Sequence, residues 1–510
     1  MTQKIAAIDA GSNALRLIVG SVNDRWQVET VENVRLPVRL GRDAFSNGML
    51  QERTIQQAVN AFLHFQRVAE SFGVVKTRAV ATSAMREAGN SDILIDRIAR
   101  TSGIEVEIIS GAEEARLIHL AVARAVKLKG KRAVLIDIGG GSVEVTVSEN
   151  ENITSVESYN MGTVRLLQKL GGAPHGPGKT QPFGLLVREY AEAARGRIDR
   201  EFGAKHVNVC VGTGGNVEEL GRLRQRLFKE ADGSLITLHE LDKLIQTLGA
   251  LSVKERIREL NLQPDRADVI LPAAIVLQMV AQEARVRQIE IPRVGLKDGV
   301  LIELADQLRA GPQAPRYEQV WESAMQLGRK YSIDANHAVL IARLAGSLFD
   351  QSRSLHNLGE EERLLLEVAS LLHDIGHFIN TIDHDKHGYY ILKANPLIGL
   401  NEHQQEIVAN LVRYHRRSIP ASDDPNFKGL PSSDRIKVMK LSALLRLADG
   451  MDVSHAGHVL SASLAERKKG WDLRLRGKGD LMIEKWALDK RRGLFEETFG
   501  VPLQILDKAS

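Results

Sequence analysis

The sequence has one cysteine, Cys210, among 510 residues. A single cysteine excludes an intrachain disulfide framework, which fits a cytoplasmic compartment. Long apolar runs are also missing, because the longest, at residues 269–280, contains Pro272 and is shorter than the ~18 residues that a membrane span needs. The chain reaches Asp9 after only a few apolar residues, too soon for the core of a signal peptide. We therefore expect a cytoplasmic protein with no membrane span.

Neither sign of charge dominates, since 68 Lys and Arg stand against 64 Asp and Glu, for a net charge of +4. Such a balance permits a polyanionic partner but does not require one. The 43% hydrophobic and 26% charged content is typical of globular proteins and excludes disordered or collagen-like chains. At ~150 residues per domain, the length predicts three or four domains.

The chain contains an internal repeat. Residues 5–20 and 134–148 both read as an apolar run, an Asp, a turn with glycine and a second apolar run. Asp9 aligns with Asp137, and each segment has the pattern of a β-hairpin. The two copies are about one domain apart, too far for a solenoid, so they predict duplicated domains. Two glycine turns that face each other can bind phosphate through backbone N–H groups.

The remaining pattern divides the chain into a mixed α/β part and a helical part. Residues 308–316 predict a linker, and residues 171–184, rich in Gly and Pro, predict a loop. Beyond the linker the pattern is helical to about Asp449, and the last fifty-odd residues add strand-like runs at 471–475 and 481–483. Before it, helices are predicted at 54–72, 91–101, 110–125 and from about 217, and strands at 76–82, 104–109 and 207–211.

The duplicated hairpin resembles the actin, sugar-kinase and heat-shock ATPase superfold, and six motifs resemble the exopolyphosphatase and guanosine pentaphosphate phosphohydrolase (Ppx/GppA) family in its long form. The motifs are AIDAGSN at 7–13, ATSAMR at 81–86, ISGAEEAR at 109–116, LIDIGGGS at 135–142, VGTGG at 211–215 and VGLKDGV at 294–300. This resemblance implies an α/β fold of duplicated actin-like (ribonuclease H-like) domains, then an all-α HD-like domain and a small α+β C-terminal domain. The expected bounds are 1–125, 126–308, 317–455 and 456–510.

Glu114 is the candidate general base. Hydrolysis of a phosphoanhydride needs an aligned, deprotonated water and neutralisation of the phosphoryl charge. Glu114 begins a helix beside the expected cleft, and the resemblance implies that this second Glu of the Glu-Glu-Ala-Arg motif is catalytic. The alternative is a structural Glu that favours the helix dipole. We assign that role to Glu113, which is expected to form a capping box with Ser110.

Carboxylates beside the glycine turns are candidate ligands of Mg²⁺, which prefers oxygen ligands. Asp137 and Glu144 bracket the second turn, and Asp9 is a weaker candidate at the first. The resemblance implies that Asp137 and Glu144 contribute to activity. The alternatives are an ordinary turn Asp and a solvent-facing strand Glu.

Substrate phosphates are expected to bind Arg86 and the glycine turns. Arg86 matches a phosphate-binding arginine of the family, and guanidinium can bind phosphate through two hydrogen bonds; a lone surface Arg is the alternative. The candidate N–H and hydroxyl donors are Gly11, Ser12, Asn13, Gly139, Gly140, Gly141, Ser142, Gly212, Gly214 and Gly215.

The helical part carries a second set of candidate metal ligands. His337, His373, Asp374 and Asp449 resemble the signature of HD metal-dependent phosphohydrolases. Mixed imidazole and carboxylate ligands suit a divalent transition metal or Mg²⁺. The alternative is a retained fold that no longer turns over substrate.

A basic patch is predicted in the same part, where it would extend a polyphosphate track; a solvated face is the alternative. Its residues are Arg413, Arg416, Arg417, Arg435, Lys437, Lys440 and Arg446. No nucleic-acid-binding motif is evident, so specific nucleic-acid binding is not expected.

The favoured function is a Mg²⁺-dependent exopolyphosphatase that removes terminal phosphate processively from inorganic polyphosphate. The alternative in the same class is guanosine pentaphosphate hydrolysis to the tetraphosphate. A sugar kinase of the actin-like superfold and a non-catalytic polyphosphate or alarmone-binding protein are less favoured. The resemblance also implies a homodimer.

Overall fold

The computed structural model describes residues 3–23, 26–170, 180–202, 205–229, 233–310, 314–421 and 423–507. It divides into two compact units, Met1–Pro312 and Gln313–Ser510, which are described separately. The predicted linker at 308–316 is mostly helical, because one helix runs to Ala310 and the next begins at Ala314. Residues 311–313 lie outside the described part.

The first unit alternates strands and helices. Its strands are β1 (Gln3–Ala10), β2 (Leu15–Val22), β3 (Val28–Leu36), β4 (Lys76–Ala81), β5 (Val106–Ile108), β6 (Arg132–Ile138), β7 (Val143–Glu149), β8 (Asn152–Tyr159), β9 (Val209–Thr213), β10 (Leu235–Thr237) and β11 (Gln288–Glu290). Its helices are α1 (Leu40–Asn47), α2 (Glu52–Ser71), α3 (Ser83–Glu87), α4 (Ser91–Ser102), α5 (Gly111–Ala125), α6 (Thr163–Lys169), α7 (Thr180–Phe202), α8 (Gly215–Phe228), α9 (Leu238–Ala250), α10 (Val253–Glu259), α11 (Pro264–Ala267), α12 (Ile270–Glu283) and α13 (Leu296–Ala310).

Two sheets repeat one topology. The first has the order β3-β2-β1-β4-β5 and the second β10-β11-β9-β6-β7-β8. In both, an antiparallel three-strand meander is extended by a parallel strand, β4 beside β1 and β9 beside β6. Asp9 pairs with Arg16 across the first hairpin, and Asp137 pairs with Glu144 across the second. The predicted hairpins and their duplication are therefore confirmed.

The long apolar run of the sequence is a core helix. Most of α12 is buried, including Pro272. Pro272 lies in the first turn, where a backbone N–H would have no acceptor inside the helix, so the proline costs no helical hydrogen bond. The helix packs against α7, α8 and α9. Among the described residues, no helix combines the length and apolarity that a membrane crossing needs.

One boundary of the first unit differs from the prediction. Helix α7 begins at Thr180, so the loop predicted at 171–184 extends too far. Residues 171–179 of that loop lie outside the described residues.

The second unit is a helical bundle followed by a small sheet. Its helices are α14 (Ala314–Lys330), α15 (Ala335–Gln351), α16 (Arg353–His356), α17 (Glu360–Leu372), a 3-10 helix (Ile375–Phe378), α18 (His384–Ala394), α19 (Glu402–Tyr414), α20 (Pro425–Lys428), α21 (Ser432–Gly450), α22 (Met482–Arg491) and α23 (Gly493–Phe499). Strands β12 (Val459–Arg467), β13 (Gly470–Gly477) and β14 (Leu503–Asp507) form one sheet in the order β12-β13-β14.

One element of this unit differs from the prediction made from the sequence. The strand-like run at 481–483 is the start of helix α22, and the third strand is β14 instead. A run of three apolar residues is too short for its period to distinguish a strand from a helix. The strand predicted at 471–475 is confirmed as part of β13.

Candidate active site

The glycine turns of the two hairpins line one cavity of about 850 Å³ in the first unit. Gly11, Ser12 and Asn13 approach it from the first hairpin, and Gly139, Gly140 and Ser142 from the second. Gly214 and Gly215 contribute a third wall at the start of α8, and Gly214 has a φ of 100°, which favours glycine. A helix N-terminus with free backbone N–H groups is a site for anions. The structure thus brings eight of the ten predicted phosphate-binding residues together.

Two predicted glycines are outside this lining and have packing roles. A Cβ on Gly141 would stand 2.1 Å from Ser83 Oγ, so the second turn packs directly on the start of α3. Gly212 is inside β9, where a Cβ would lie 2.9 Å from Val217. These two glycines therefore allow close packing of the motifs that contain them and do not line the cavity.

Three carboxylates meet beside the cavity, of which Glu114 and Asp137 line it and Glu144 does not. Glu114, Asp137 and Glu144 each offer an oxygen within 4.8 Å of the others, and all three are buried. Thr213 Oγ1 donates to Asp137 Oδ1 at 2.6 Å, and Ser158 Oγ donates to Glu144 Oε1 at 2.8 Å. Among the described residues, Glu144 Oε2 has no hydrogen-bond partner although it is buried. Buried polar atoms are ordinarily satisfied, so this oxygen points to a missing partner.

Burial and mutual repulsion disfavour the charged forms of this cluster. Burial, with the nearby charge of Glu144, raises the pKa of Asp137 to about 7. Burial also raises the pKa of Glu114 well above its usual value, with Glu144 adding to the effect and Arg86 opposing it. A divalent cation would relieve this repulsion, and oxygen-only donors are what Mg²⁺ prefers. The residues present therefore fit the cation that the sequence predicted.

Asp9 stands apart from this cluster. It is buried, and Arg16 Nη1 lies 3.4 Å from its Oδ2. At the matching register position of the second hairpin the partner is Glu144 instead of an arginine. The duplication is therefore asymmetric, and only the second hairpin carries a carboxylate at both of these paired positions.

Helix α5 places Glu114 at the cavity. The Ser110 side chain accepts from the Glu113 backbone N–H at 3.2 Å, as expected of an N-cap. The Glu113 carboxylate does not complete a capping box, because it binds Arg116 at 2.7 and 2.8 Å. Glu113 is thus structural, while Glu114 lines the cavity.

Arg86 contacts Glu114 in this structure. Its Nη1 donates to the Ile109 carbonyl at 2.5 Å and lies 3.4 Å from Glu114 Oε2. Arg86 is therefore placed to orient this carboxylate.

The sequence did not single out the cationic residues that line the cavity. Arg266 is the most buried of them, at 8% exposure, and donates to the Gly215 carbonyl. Burial lowers the pKa of Arg266 to about 10, with Arg35 and Arg16 adding to the effect. The cationic lining consists of Arg16, Arg35, Arg222, Arg226, Arg266, Arg293 and Lys297. Such a lining suits a polyphosphorylated ligand. Lys297 belongs to a quoted motif, but the arginines are scattered along the chain and carry no local signal.

Residues from the two sheet regions also bind each other across the cavity. Asn13 Nδ2 donates to the Asp265 carbonyl at 3.0 Å and its Oδ1 accepts from Arg39 Nε at 2.9 Å. Arg39 also binds Asp268 through two contacts of 2.9 Å. Asn13 therefore holds the two sides together as well as lining the cavity.

Gly162 supports the second turn, and its substitution gives a testable prediction. A Cβ on Gly162 would lie 2.3 to 2.5 Å from backbone atoms of Gly141 and Ser142. We expect Gly162→Ala to lower the free energy of unfolding by about 1–3 kcal/mol and to reduce kcat/KM, since the turn must move. Gly196→Ala is the matched control, because Gly196 occupies an exposed position of α7 and nothing lies within 4 Å of where a Cβ would be. Ala also favours a helix over Gly. Equal thermal stability and activity of the two variants would contradict this role.

The four predicted metal ligands of the second unit also converge. His337 Nε2 lies 3.2 Å from His373 Nε2, which lies 3.6 Å from Asp374 Oδ2 and 3.8 Å from Asp449 Oδ1. Asp449 is inside α21, one residue before its end. Four histidines that the sequence did not single out join them: His377, His384, His415 and His455.

The predicted basic patch is wrong for most of its members. Buried Arg413 pairs with Asp385, and buried Arg446 donates to the carbonyls of Tyr414 and Ser418. Lys437 pairs with Glu362, and Lys440 binds the His356 carbonyl. Arg416 and Arg417 are exposed, and Arg435 is half-buried. A charged residue in a sequence gives no sign of a buried acceptor elsewhere, so a continuous polyphosphate track is not supported.

Solved structures share the fold of the first unit. An exopolyphosphatase from Cytophaga hutchinsonii is 25% identical, with a TM-score of 0.56, and covers 60% of this chain and 98% of its own. A Ppx/GppA family member from Aquifex aeolicus, 24% identical with a TM-score of 0.52, covers 60% of this chain and 99% of its own, and shows the same fold. The predicted two-domain actin-like α/β fold is confirmed.

Curated relatives match most of the chain. Guanosine-5'-triphosphate,3'-diphosphate pyrophosphatases from Vibrio parahaemolyticus and Aliivibrio fischeri are each 24% identical, over 448 and 479 residues. The first match covers 86% of both proteins, and the second covers 91% of this chain and 92% of the relative.

Family descriptions match both units. The Ppx/GppA phosphatase family matches residues 18–308, and its domain III matches residues 321–488. With this match and the phosphate-suited cavity, the chain belongs to the Ppx/GppA phosphatase family and is a hydrolase of phosphoanhydride bonds.

Proposed function

We propose that the first unit removes the terminal phosphoryl group of a polyphosphorylated substrate, with water as the acceptor and Mg²⁺ as the cofactor. The observation that carries this is one cavity in which Glu114 faces two glycine turns, a helix N-terminus and a cationic lining. Such a cavity holds phosphates at several points and places a carboxylate beside them. Phosphoryl transfer depends mainly on this kind of positioning and charge neutralisation.

Glu114 acts as the general base in this proposal. Its raised pKa means that it holds a proton well, as a group that accepts one from water must. Arg86 orients the carboxylate, and backbone N–H groups of Gly140 and Gly215 bind phosphate oxygens, whereas the Gly139 N–H donates to the Ser142 carbonyl and shapes the turn. Asp137 and Glu144 would hold Mg²⁺, which neutralises charge on the phosphates when bound. Asp9, paired with Arg16, takes a supporting position.

Guanosine pentaphosphate is our first choice of substrate. A relative named for it covers 91% of this chain, whereas the exopolyphosphatase structure covers 60% of it. Inorganic polyphosphate, the substrate expected in the sequence analysis, is the second choice, and the cationic lining suits either substrate. The motifs are shared by both activities, so this ranking rests on the coverage of the relatives.

Parallel assays should rank the substrates. Phosphate release is measured from guanosine pentaphosphate, long-chain polyphosphate and ATP at equal terminal-phosphate concentration, with Mg²⁺ and with chelator. We expect the highest kcat/KM for guanosine pentaphosphate, a lower value for polyphosphate, and no release with chelator. A higher value for polyphosphate would reverse the ranking. Phosphorylation of a sugar by ATP would indicate a kinase, and binding without release would indicate a sensor.

The second unit is proposed as an HD-like domain that binds a divalent metal at His337, His373, Asp374 and Asp449. His337, His373 and Asp374 each offer an atom within 4.8 Å of the others, which supports this proposal. Asp449 Oδ1 lies 3.8 Å from His373 Nε2, while its other oxygen pairs with Arg491. A homodimer, which the family resemblance implies, stays a prediction that size-exclusion chromatography with light scattering can test.

A further inference from the structure

Arg165 is a buried arginine with no part in the reaction proposed above. It lies on α6, which follows the second hairpin, and it is 5% exposed. Its Nε donates to the Gly141 carbonyl at 2.6 Å, and its two Nη atoms bind the two carboxylate oxygens of Glu87, one of them at 2.8 Å. The guanidinium also lies over the Phe45 ring, 4.1 Å from the ring centroid. One buried side chain therefore connects the second glycine turn to Glu87.

Backbone hydrogen bonds from the start of α6 hold the second turn independently of this side chain. The Thr163 N–H donates to the Gly139 carbonyl at 3.1 Å. The N–H groups of Val164 and Arg165 both donate to the Gly140 carbonyl, at 2.8 and 3.1 Å. Because the C=O and N–H of one planar trans peptide point in opposite directions, these bonds also fix the direction of the turn's own N–H groups. The phosphate-binding face of the turn should therefore survive a change in the Arg165 side chain.

Glu87 is the last residue of α3, the short helix that carries Arg86. Five residues are too few for a helix to be stable by itself, so α3 depends on its contacts with the rest of the unit. At its start, Ser83 Oγ lies 3.0 Å from Ser12 Oγ of the first glycine turn. At its end, the Glu87 carboxylate is 41% exposed, so the contact with Arg165 holds it and burial does not. Arg86 is thus the neighbour of the residue that Arg165 fixes.

The position of α3 decides whether Arg86 reaches Glu114. Arg86 Nη1 donates to the Ile109 carbonyl at 2.5 Å and lies 3.4 Å from Glu114 Oε2. A shift of α3 by about 1 Å would disturb both contacts, and a misplacement of that size can lower the rate of an enzyme by about 10²-fold. The end of α3 must therefore be held firmly if Arg86 is to orient the carboxylate.

We propose that Arg165 is a positioning residue, which fixes Arg86 against Glu114 by holding α3 to the second glycine turn. This role rests on the proposed function of the first unit, in which Glu114 is the general base. The planar guanidinium binds a carboxylate through two parallel hydrogen bonds and has a further N–H for the Gly141 carbonyl, whereas a lysine ammonium is a single point of charge. The phosphates are bound elsewhere, so Arg165 should affect the chemical step and leave substrate affinity unchanged.

The test compares Arg165→Lys with the unaltered full chain, on the substrate that the parallel assays show to be turned over fastest. We expect kcat to fall by about 10- to 100-fold, because the reacting groups are misplaced. KM should change by less than about twofold, since ground-state binding is kept. The Kd of the substrate, measured with and without Arg165→Lys in the slow Glu114→Gln protein, should likewise stay the same. Glu87→Gln weakens the same contact from its exposed end and should also lower kcat without raising KM.

A double-mutant cycle shows whether Arg165 acts through Arg86. In an Arg86→Ala background, Arg165→Lys should lower kcat by less than about twofold, because residues that act as one unit are not additive. Arg132→Lys is the matched control. Arg132 also pairs with a carboxylate, that of Glu149, and donates to a backbone carbonyl, that of Lys205, at 2.8 Å, but it stands at the start of β6 and does not line the cavity. This control should change neither kcat nor KM, and circular dichroism with thermal melting confirms that each variant folds.

The outcomes separate this role from the proposed function. No phosphate release by the unaltered protein would overturn the proposed function, and the role of Arg165 with it. If the unaltered protein is active, near-normal kcat in folded Arg165→Lys would overturn the role of Arg165 alone. A raised KM with kcat preserved would assign Arg165 to phosphate binding instead, and an undiminished effect in the Arg86→Ala background would show that it acts without Arg86. An equal loss of kcat in Arg132→Lys would indicate general destabilisation. If Arg165→Lys does not fold, Glu87→Gln in both backgrounds provides the same test.

Discussion

Replacing Glu114 by Gln is expected to lower kcat for phosphate release by ~10²–10⁴-fold, the usual contribution of a general base. Gln keeps the shape of the side chain and a hydrogen bond to Arg86 but cannot take a proton from water. Substrate affinity should change little, because the phosphates are bound by the glycine turns and the cationic lining. Single-turnover kinetics with guanosine pentaphosphate and polyphosphate measure the chemical step directly, and equilibrium binding measures affinity.

The neighbouring Glu113→Gln is the matched control, and its expected effect is of the opposite kind. Glu113 forms a buried ion pair with Arg116, which also pairs with Glu303. This variant should therefore lose about 1–3 kcal/mol of stability through its weakened hydrogen bonds to a charged group, because Arg116 stays paired. The folded fraction should keep near-normal turnover. If Glu114→Gln retained turnover while Glu113→Gln lost it, the two assignments would be exchanged.

Replacing Glu144 by Gln is expected to lower Mg²⁺-dependent turnover by about 10²-fold or more, similar to the loss of a group that stabilises developing charge. Glu144 Oε2 is buried with no described partner, so it is the oxygen best placed to bind a cation. Gln offers a neutral oxygen and would weaken cation binding. A Mg²⁺ titration of activity should therefore shift to higher concentration, and stabilisation of the protein by Mg²⁺ in thermal melts should shrink.

Glu149→Gln serves as the control for this substitution. Glu149 ends the same strand but pairs with Arg132 and Lys205 at the protein surface, and such pairs contribute little. Its Mg²⁺ dependence should match the unaltered protein. An unchanged Mg²⁺ titration in Glu144→Gln would show that the cation binds elsewhere and would assign Glu144 to hydrogen bonding with Ser158.

Local patterns predicted the elements that line the candidate active site. Each hairpin is contiguous in the chain, so its apolar runs, its Asp and its glycines identified it without tertiary information. The same is true of Glu114, which stands a few residues after a strand and at the start of an amphipathic helix. The sequence assigned the structural role to Glu113 through an expected capping box with Ser110. In the structure Glu113 has a structural role through a different contact, the ion pair with Arg116.

Side chains whose partners are distant in the chain were not predictable. Arg266 reaches the cavity from a short helix that has no motif, and Arg413 and Arg446 are turned inward by Asp385 and by backbone carbonyls. Exposed and buried arginines look alike in a sequence. Their roles depend on which acceptor the fold brings within reach.

The histidine cluster of the second unit was predicted in part from the sequence and is seen in full only in the structure. The adjacent pair His373-Asp374 is a local signal, and it led to a four-residue metal set. His384 and His415 come from α18 and the end of α19, and only the packing of those helices brings their Nε2 atoms to 3.1 Å. The order of residues along the chain therefore determined the hairpins, the helix that carries Glu114 and the first candidate metal ligands, because these depend on neighbours in sequence. The fold decided the cationic lining of the cavity, the contact of Arg86 with Glu114 and the approach of His384 to His415, because these depend on distances between separate elements.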